Sequence, residues 1–333
     1  MASSRMSLLS ANNSNHVLIH AGSIILAVIS QVISDIFFIL AKDSSVPNAL
    51  FQTSHRNMSE SFPLEVTMDY WSEYYWIMID LWSKAWLVDA GVSLCRRNVL
   101  GPESCNPEIH PPVFYLMWST VNVARMCSMS LWDRQCILGA ALLRWIPAVY
   151  SFYMLHMSYF NLNKHKAWLA INNPRVIPWT QYLTQNGLAV FAWWSFLNAV
   201  VGFGIVLKYN AGVPDPLIST IVLTVVTVSI IIWFILQTFL LTKYMGHTNS
   251  VYAILILGLG AMFTRSYRLH ALTVNTVFCG FLMLLVTLMS LIYLMSACLH
   301  TDKSSKPLDM ELYQKSDDCA TVCQPEGNMK LQK

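Results

Sequence analysis

The sequence predicts an all-α fold, a polytopic transmembrane helical bundle, and three observations carry that prediction. Only 12% of the 333 residues are charged and 55% are hydrophobic, whereas a soluble chain carries about 25% charge and needs it to stay dispersed. The apolar residues gather into blocks near the roughly 20 helical residues that cross a 30 Å hydrocarbon core. No short alternating pattern suggests a barrel. Helices, which satisfy their own backbone polar groups, are therefore the natural form.

Eight blocks appear in order, with expected spans near 17–40, 75–94, 113–132, 137–160, 183–207, 216–241, 251–268 and 271–299. A short cytoplasmic N-terminus precedes them at 1–16. A polar tail rich in Lys, Asp and Ser follows at 300–333, with the composition of a disordered segment. The first block is too long for a signal peptide, has only Arg5 before it and ends without a small-x-small cleavage site. It reads as an uncleaved first span. The second block is weakened by Asp80, Lys84 and Asp89. The seventh has an apolar centre, Val251 to Phe263, and reaches full length only if Arg265 and Arg268 snorkel to the surface. Eight spans is the favoured count, and seven is the alternative.

Orientation follows the basic residues of the short loops. With both termini inside, Arg5, Arg96, Arg97, Lys164, Lys166, Arg175, Lys243, Lys303 and Lys306 face the cytoplasm, against Lys42, Arg56, Arg134, Lys208, Arg265 and Arg268 outside. Two glycosylation sequons, at Asn12 and Asn57, fall on opposite sides of the first span, and this orientation selects Asn57. A usable sequon points to the plasma membrane. The segment from Ala41 to Tyr70 is the one sizeable external loop and contains no cysteine.

Charge inside the spans is uneven. Asp35, Asp80, Lys84, Asp89, Arg125 and Arg144 all fall in spans one to four, while the apolar parts of spans five, six and eight hold none. An intramembrane charge is costly and is normally paired or set against a cavity. Three acids and three bases can neutralise one another, and Asp80 and Lys84 share a helix face at a spacing of four. Two roles are open for this polar network: ion pairs that fix helix order, or the lining of a solute path or ligand pocket. Trp82 and Trp86 flank Lys84, where they either pack or make cation–π contacts. In span five, Gln181, Gln185, Asn186 and Asn198 and the small residues Gly187, Gly202 and Gly204 suit close helix packing or a pocket wall. Gly258 and Gly260 suit packing in span seven.

Catalytic and cofactor motifs are missing. There is no phosphate-cradling glycine loop, no His-Glu-x-x-His and no Gly-x-Ser-x-Gly. His16 and His20 have helix spacing for two metal ligands, but no carboxylate or cysteine follows nearby. The eight cysteines match no zinc spacing, and the dispersed basic residues make no nucleic-acid patch. No enzyme, metal or cofactor is expected.

Three stretches carry a resemblance. They are Pro111-Pro112-Val113-Phe114-Tyr115 with Trp118 and Asn122, Leu131-Trp132-Asp133-Arg134, and Gln181-Tyr182-Leu183-Thr184-Gln185-Asn186-Gly187. From about Trp71 to Leu299 the chain resembles an uncharacterised family of animal multi-pass membrane proteins. The resemblance implies the architecture and transfers no activity. A seven-helix receptor fits poorly, since span three ends in Asp133-Arg134-Gln135 rather than Asp-Arg-Tyr and the last span has no Asn-Pro-x-x-Tyr. The expected partners are the lipid bilayer and a small solute, an ion or another membrane protein. The expected function is transport or conduction, with a non-catalytic receptor or adaptor role as the alternative.

Overall fold

A computed structural model describes residues 2–42, 51, 59–98, 101–270 and 272–296 (backbone only for 2–14, 42 and 270). The Asn57 sequon and the tail lie outside the described residues. The chain forms two compact units, Met1–Thr287 and Leu288–Lys333. The first unit holds the helix contacts and both cavities that bear on function.

The described residues form eight long helices, one on each predicted block. They are α1 (Ala2–Lys42), α2 (Tyr74–Cys95), α3 (Pro112–Asp133), α4 (Ile137–Asn172), α5 (Val176–Tyr209), α6 (Asp215–Leu240), α7 (Ser250–His270) and α8 (Val274–Ser296). Three helices outrun their blocks, because the flanking residues are helix-compatible. α1 continues back to Ala2, α4 runs on past Phe160 to Asn172, and α5 begins at Val176, ahead of its block. The only strands among the described residues are the short pair β1 (Arg97–Asn98) and β2 (Gly101–Pro102), antiparallel with Arg97 opposite Pro102.

Six helices are long and apolar enough to cross a membrane: α1 over Asn15–Ala41, and α4 to α8. The expected count of eight is thus not reached on length and composition. α2 falls short through Asp80, Lys84 and Asp89, as its sequence warned. α3 also falls short, because Arg125 and a run of Ser, Thr and Asn dilute it. The doubtful seventh block does qualify.

Contacts along the chain alternate in direction. Ser128 Oγ of α3 donates to Ala140 O near the start of α4 at 3.1 Å, while Asn161 Nδ2, late in α4, donates to Ile109 O before α3 at 2.9 Å. α3 and α4 are therefore antiparallel. α5 stands at the centre of the unit, with Leu188, Ala189, Phe191, Ala192 and Leu197 fully buried. A helix apolar on all sides is a buried helix, and this explains why span five carries no charge. Its glycines permit close approach. A Cβ on Gly187 would lie 2.7 Å from the Trp82 ring, and one on Gly258 of α7 would lie 2.5 Å from Leu197.

The segment before α2 is stitched onto the end of α5, the start of α6, the end of α7 and the start of α8. Glu65 is buried and accepts hydrogen bonds from Ser266, from Thr273 and, at 2.7 Å, from Asn275 Nδ2. Asp69 caps the turn Tyr70–Glu73 and pairs with Arg268. Lys208 meets Asp215 at 2.7 Å and Pro63 O. Its described part is a docked cover, with Leu64 and Val66 fully buried.

Candidate functional site

The six charges expected at membrane depth do not form one network. They resolve into pairs and one exception. Arg125, buried on α3, donates from both guanidinium nitrogens to the Asp80 carboxylate of α2, at 2.9 and 3.0 Å. The same guanidinium lies 4.8 Å from the Trp76 ring centre and 5.5 Å from that of Phe191. A two-point planar pair of this kind is among the strongest polar contacts available. Lys84 reaches across to Asp35 of α1 at 2.8 Å, so the spacing of Asp80 and Lys84 on one helix face does not make them partners. Asp35 also accepts from Gln31 Nε2 at 3.0 Å, and Trp118 Nε1 donates to Gln31 Oε1 at 3.1 Å. With Asn122 Nδ2 donating to Ser30 Oγ at 3.2 Å, these contacts make the α1–α3 seam polar. Asp89, near the end of α2, faces Arg96 at a looser 3.9 Å.

Arg144 is the exception. It lies seven residues into α4, about 10 Å along the helix. Its guanidinium centre sits 4.3 Å over the Trp132 ring. It has no carboxylate partner and no hydrogen bond among the described residues. A cation–π contact contributes about 2 kcal/mol at best, whereas desolvating an ion costs several. Arg144 is half-buried, so its charge meets the Trp132 ring on one side and the open space of a cavity on the other. A Cβ on Gly202 of α5 would lie 3.3 Å from Arg144 Nη1, so the absence of a side chain there makes room for the guanidinium.

Arg125 and Arg144 both border a cavity of about 140 Å³ beneath the segment 59–73. The ends of α1 and α2, with α3, α4 and α5, wall it. Trp76, Trp132 and Trp194 supply aromatic surface, and Ser128, Ser195 and Asn198 add polar groups. The indole N–H groups of Trp132 and Trp194 and the Ser195 hydroxyl are buried with no hydrogen-bond partner. Glu73 of the capping turn also borders the space and is engaged in an interaction of its own. Pro147 opens the α4 backbone beside it, since proline provides no N–H for the carbonyl one turn back.

Sequence reasoning singled out both arginines but confined the polar network to spans one to four. Phe191 and Gly202 show that α5 forms one wall. Ser128 and Ser195 carried no signal of their own, since polar residues are routine in packed membrane helices, and Trp132 stood out only within the Leu131–Arg134 stretch. Trp82 and Trp86 take the packing role. Trp82 Nε1 donates to Leu183 O at 2.9 Å, and Trp86 packs edge-on against Trp118 with ring centres 5.0 Å apart. The cation–π contacts form instead at Arg125 and Arg144.

At the opposite end of the unit a second cavity of about 600 Å³ is bordered by Arg96, Arg97, Arg175, Asp89, Glu103 and His110. His110 shares a hydrogen bond with Ser158 Oγ at 2.9 Å. Burial pushes its imidazole pKa down to about 3, and His20 nearby adds to the shift. His16 and His20 come within 3.5 and 4.0 Å of Glu108, but no group of three or more His, Cys, Asp and Glu among the described residues is arranged to hold a metal ion.

No family model, curated protein or solved structure matches the chain.

Proposed function

We propose that this chain is a transporter of a small solute, with all eight long helices crossing the plasma membrane and the cavity between Arg125 and Arg144 as the solute site. One observation carries the reading: the cavity is walled by side chains of five helices and bordered by two cations, one of which has no partner among the described residues. The charges that lower the hydropathy of α2 and α3 do not oppose an eight-span arrangement. Asp80, Lys84 and Arg125 are each neutralised by a partner on a neighbouring helix, which is how charge persists at membrane depth. Both helices have 22 residues, about 33 Å of helix, enough to span.

A second reading is receptor-like binding without translocation. It is favoured by the closed, two-point Asp80–Arg125 pair beside the cavity, because a path through that point has to break it.

Cysteine accessibility tests both. Ser195→Cys is placed in a background with the eight native cysteines replaced, and a membrane-impermeant thiol reagent is applied from each face of sealed vesicles. A transporter is labelled from both faces, and a receptor only from the face carrying residues 59–73. Labelling from neither face ends both readings.

A further inference from the structure

We propose that the ligand of this cavity is a small organic anion, a carboxylate of about benzoate size, and that Arg144 binds its charge. The inference rests on reading the cavity as a solute site and adds the chemical class of the solute.

The first ground is charge. The Arg125 charge is neutralised by Asp80, to which both terminal nitrogens donate. Arg144 carries a full positive charge into the same space with only the Trp132 ring against it. Arg144 is half-buried, and among the described residues no carboxylate pairs with it, although Glu73 borders the same cavity. A ligand carboxylate would complete the site in the two-point geometry that a guanidinium favours.

The second ground is the sense of the hydrogen-bonding groups. Guanidinium and indole N–H groups donate and cannot accept. Trp132 Nε1 and Trp194 Nε1 are buried and unpartnered on residues that line the cavity, and the unpartnered Ser195 hydroxyl can also donate. Of the nearby acceptors, Asp80 is used by Arg125, the Trp194 carbonyl by Asn198 Nδ2 at 2.8 Å, and Glu73 is engaged in an interaction of its own. A wall rich in free donors selects a ligand rich in acceptors.

The third ground is size and shape. A space of about 150 Å³ admits one benzene ring, and this cavity measures about 140 Å³. Trp76, Trp132 and Trp194 offer faces and edges to such a ring. A bare halide leaves that aromatic surface unused.

Benzoate is the probe, with benzamide and benzyl alcohol as neutral probes of the same ring size. Binding to the full-length protein in nanodiscs is read by intrinsic tryptophan fluorescence and by the thermal midpoint. Benzoate is expected to bind and stabilise the wild type, with the neutral probes at least about tenfold weaker. Arg144→Gln is expected to lose that preference, and Arg144→Lys, which keeps the charge, to retain part of it. Equal binding of benzoate and benzamide by the wild type overturns the anion assignment and leaves the solute cavity standing. So does unchanged benzoate binding by a folded Arg144→Gln variant. Failure of all three probes to bind the wild type at millimolar concentration overturns both readings. Because the comparison within the wild type needs no variant, the test survives a failure of Arg144→Gln to fold.

Discussion

Removing the Asp80 carboxylate tests whether the buried pair is an energetic unit. In the wild type two hydrogen bonds, at 2.9 and 3.0 Å, hold Asp80 against Arg125, and both side chains are only 6% exposed. Asp80→Leu leaves a guanidinium at that depth with the rings of Trp76 and Phe191 as its neighbours. Those rings already contribute in the wild type and cannot replace a carboxylate. Breaking one side of a buried pair costs about 3–5 kcal/mol, whereas exchanging the whole pair for apolar residues of similar volume is about neutral. The single variants Asp80→Leu and Arg125→Met are therefore each expected to lose about 3–5 kcal/mol. The double variant should be more stable than either. Reversible unfolding in mixed micelles, followed by tryptophan fluorescence, measures all four corners of the cycle. Losses that add to within about 0.5 kcal/mol would mean the residues are independent and would refute the account of the pair.

Two further outcomes rest on the packing and on the second cavity. Gly187→Val is expected to destabilise by about 1–3 kcal/mol through overpacking, because its Cβ would lie 2.7 Å from the Trp82 ring. Trp82→Phe should restore part of the loss, and absence of any rescue in the thermal midpoint would place the strain elsewhere. His110 is held neutral, its pKa lowered from 6.5 to about 3. The unfolded chain then binds more protons than the folded one between those values, so this contribution to stability is complete above about pH 6.5. It falls as the pH drops, by up to about 1.4 kcal/mol per unit. The thermal midpoint should decline from about pH 6.5 to about pH 5 in the wild type and decline less in His110→Asn. Identical slopes would exclude His110 as the source.

Much of this architecture is a matter of composition. Blocks of apolar residues with few charges have one stable form in lipid, and each of the eight predicted blocks is occupied by a helix. The cost of charge in hydrocarbon makes Asp35, Asp80, Lys84, Asp89, Arg125 and Arg144 conspicuous in the sequence alone. Their partners were not legible. A spacing of four put Asp80 beside Lys84, yet the side chains turn to different neighbours, Arg125 on α3 and Asp35 on α1. Helical periodicity tells which residues share a face and is silent on which helix that face meets. The same holds for the loop: Glu65 and Asp69 lie in the segment expected to be external, and they are buried against α7 and the start of α8.

By itself, then, the sequence determined that this is a helical membrane bundle whose ionisable residues within the predicted spans gather in its first half. Only the tertiary structure decided that three of the acids are closed by bases while Arg144 is left facing a cavity whose far wall is α5. The physical reason is that burial energetics act along a single helix and can be read from its residues. Pairing and vacancy are properties of the space between helices, which depends on how every neighbour packs.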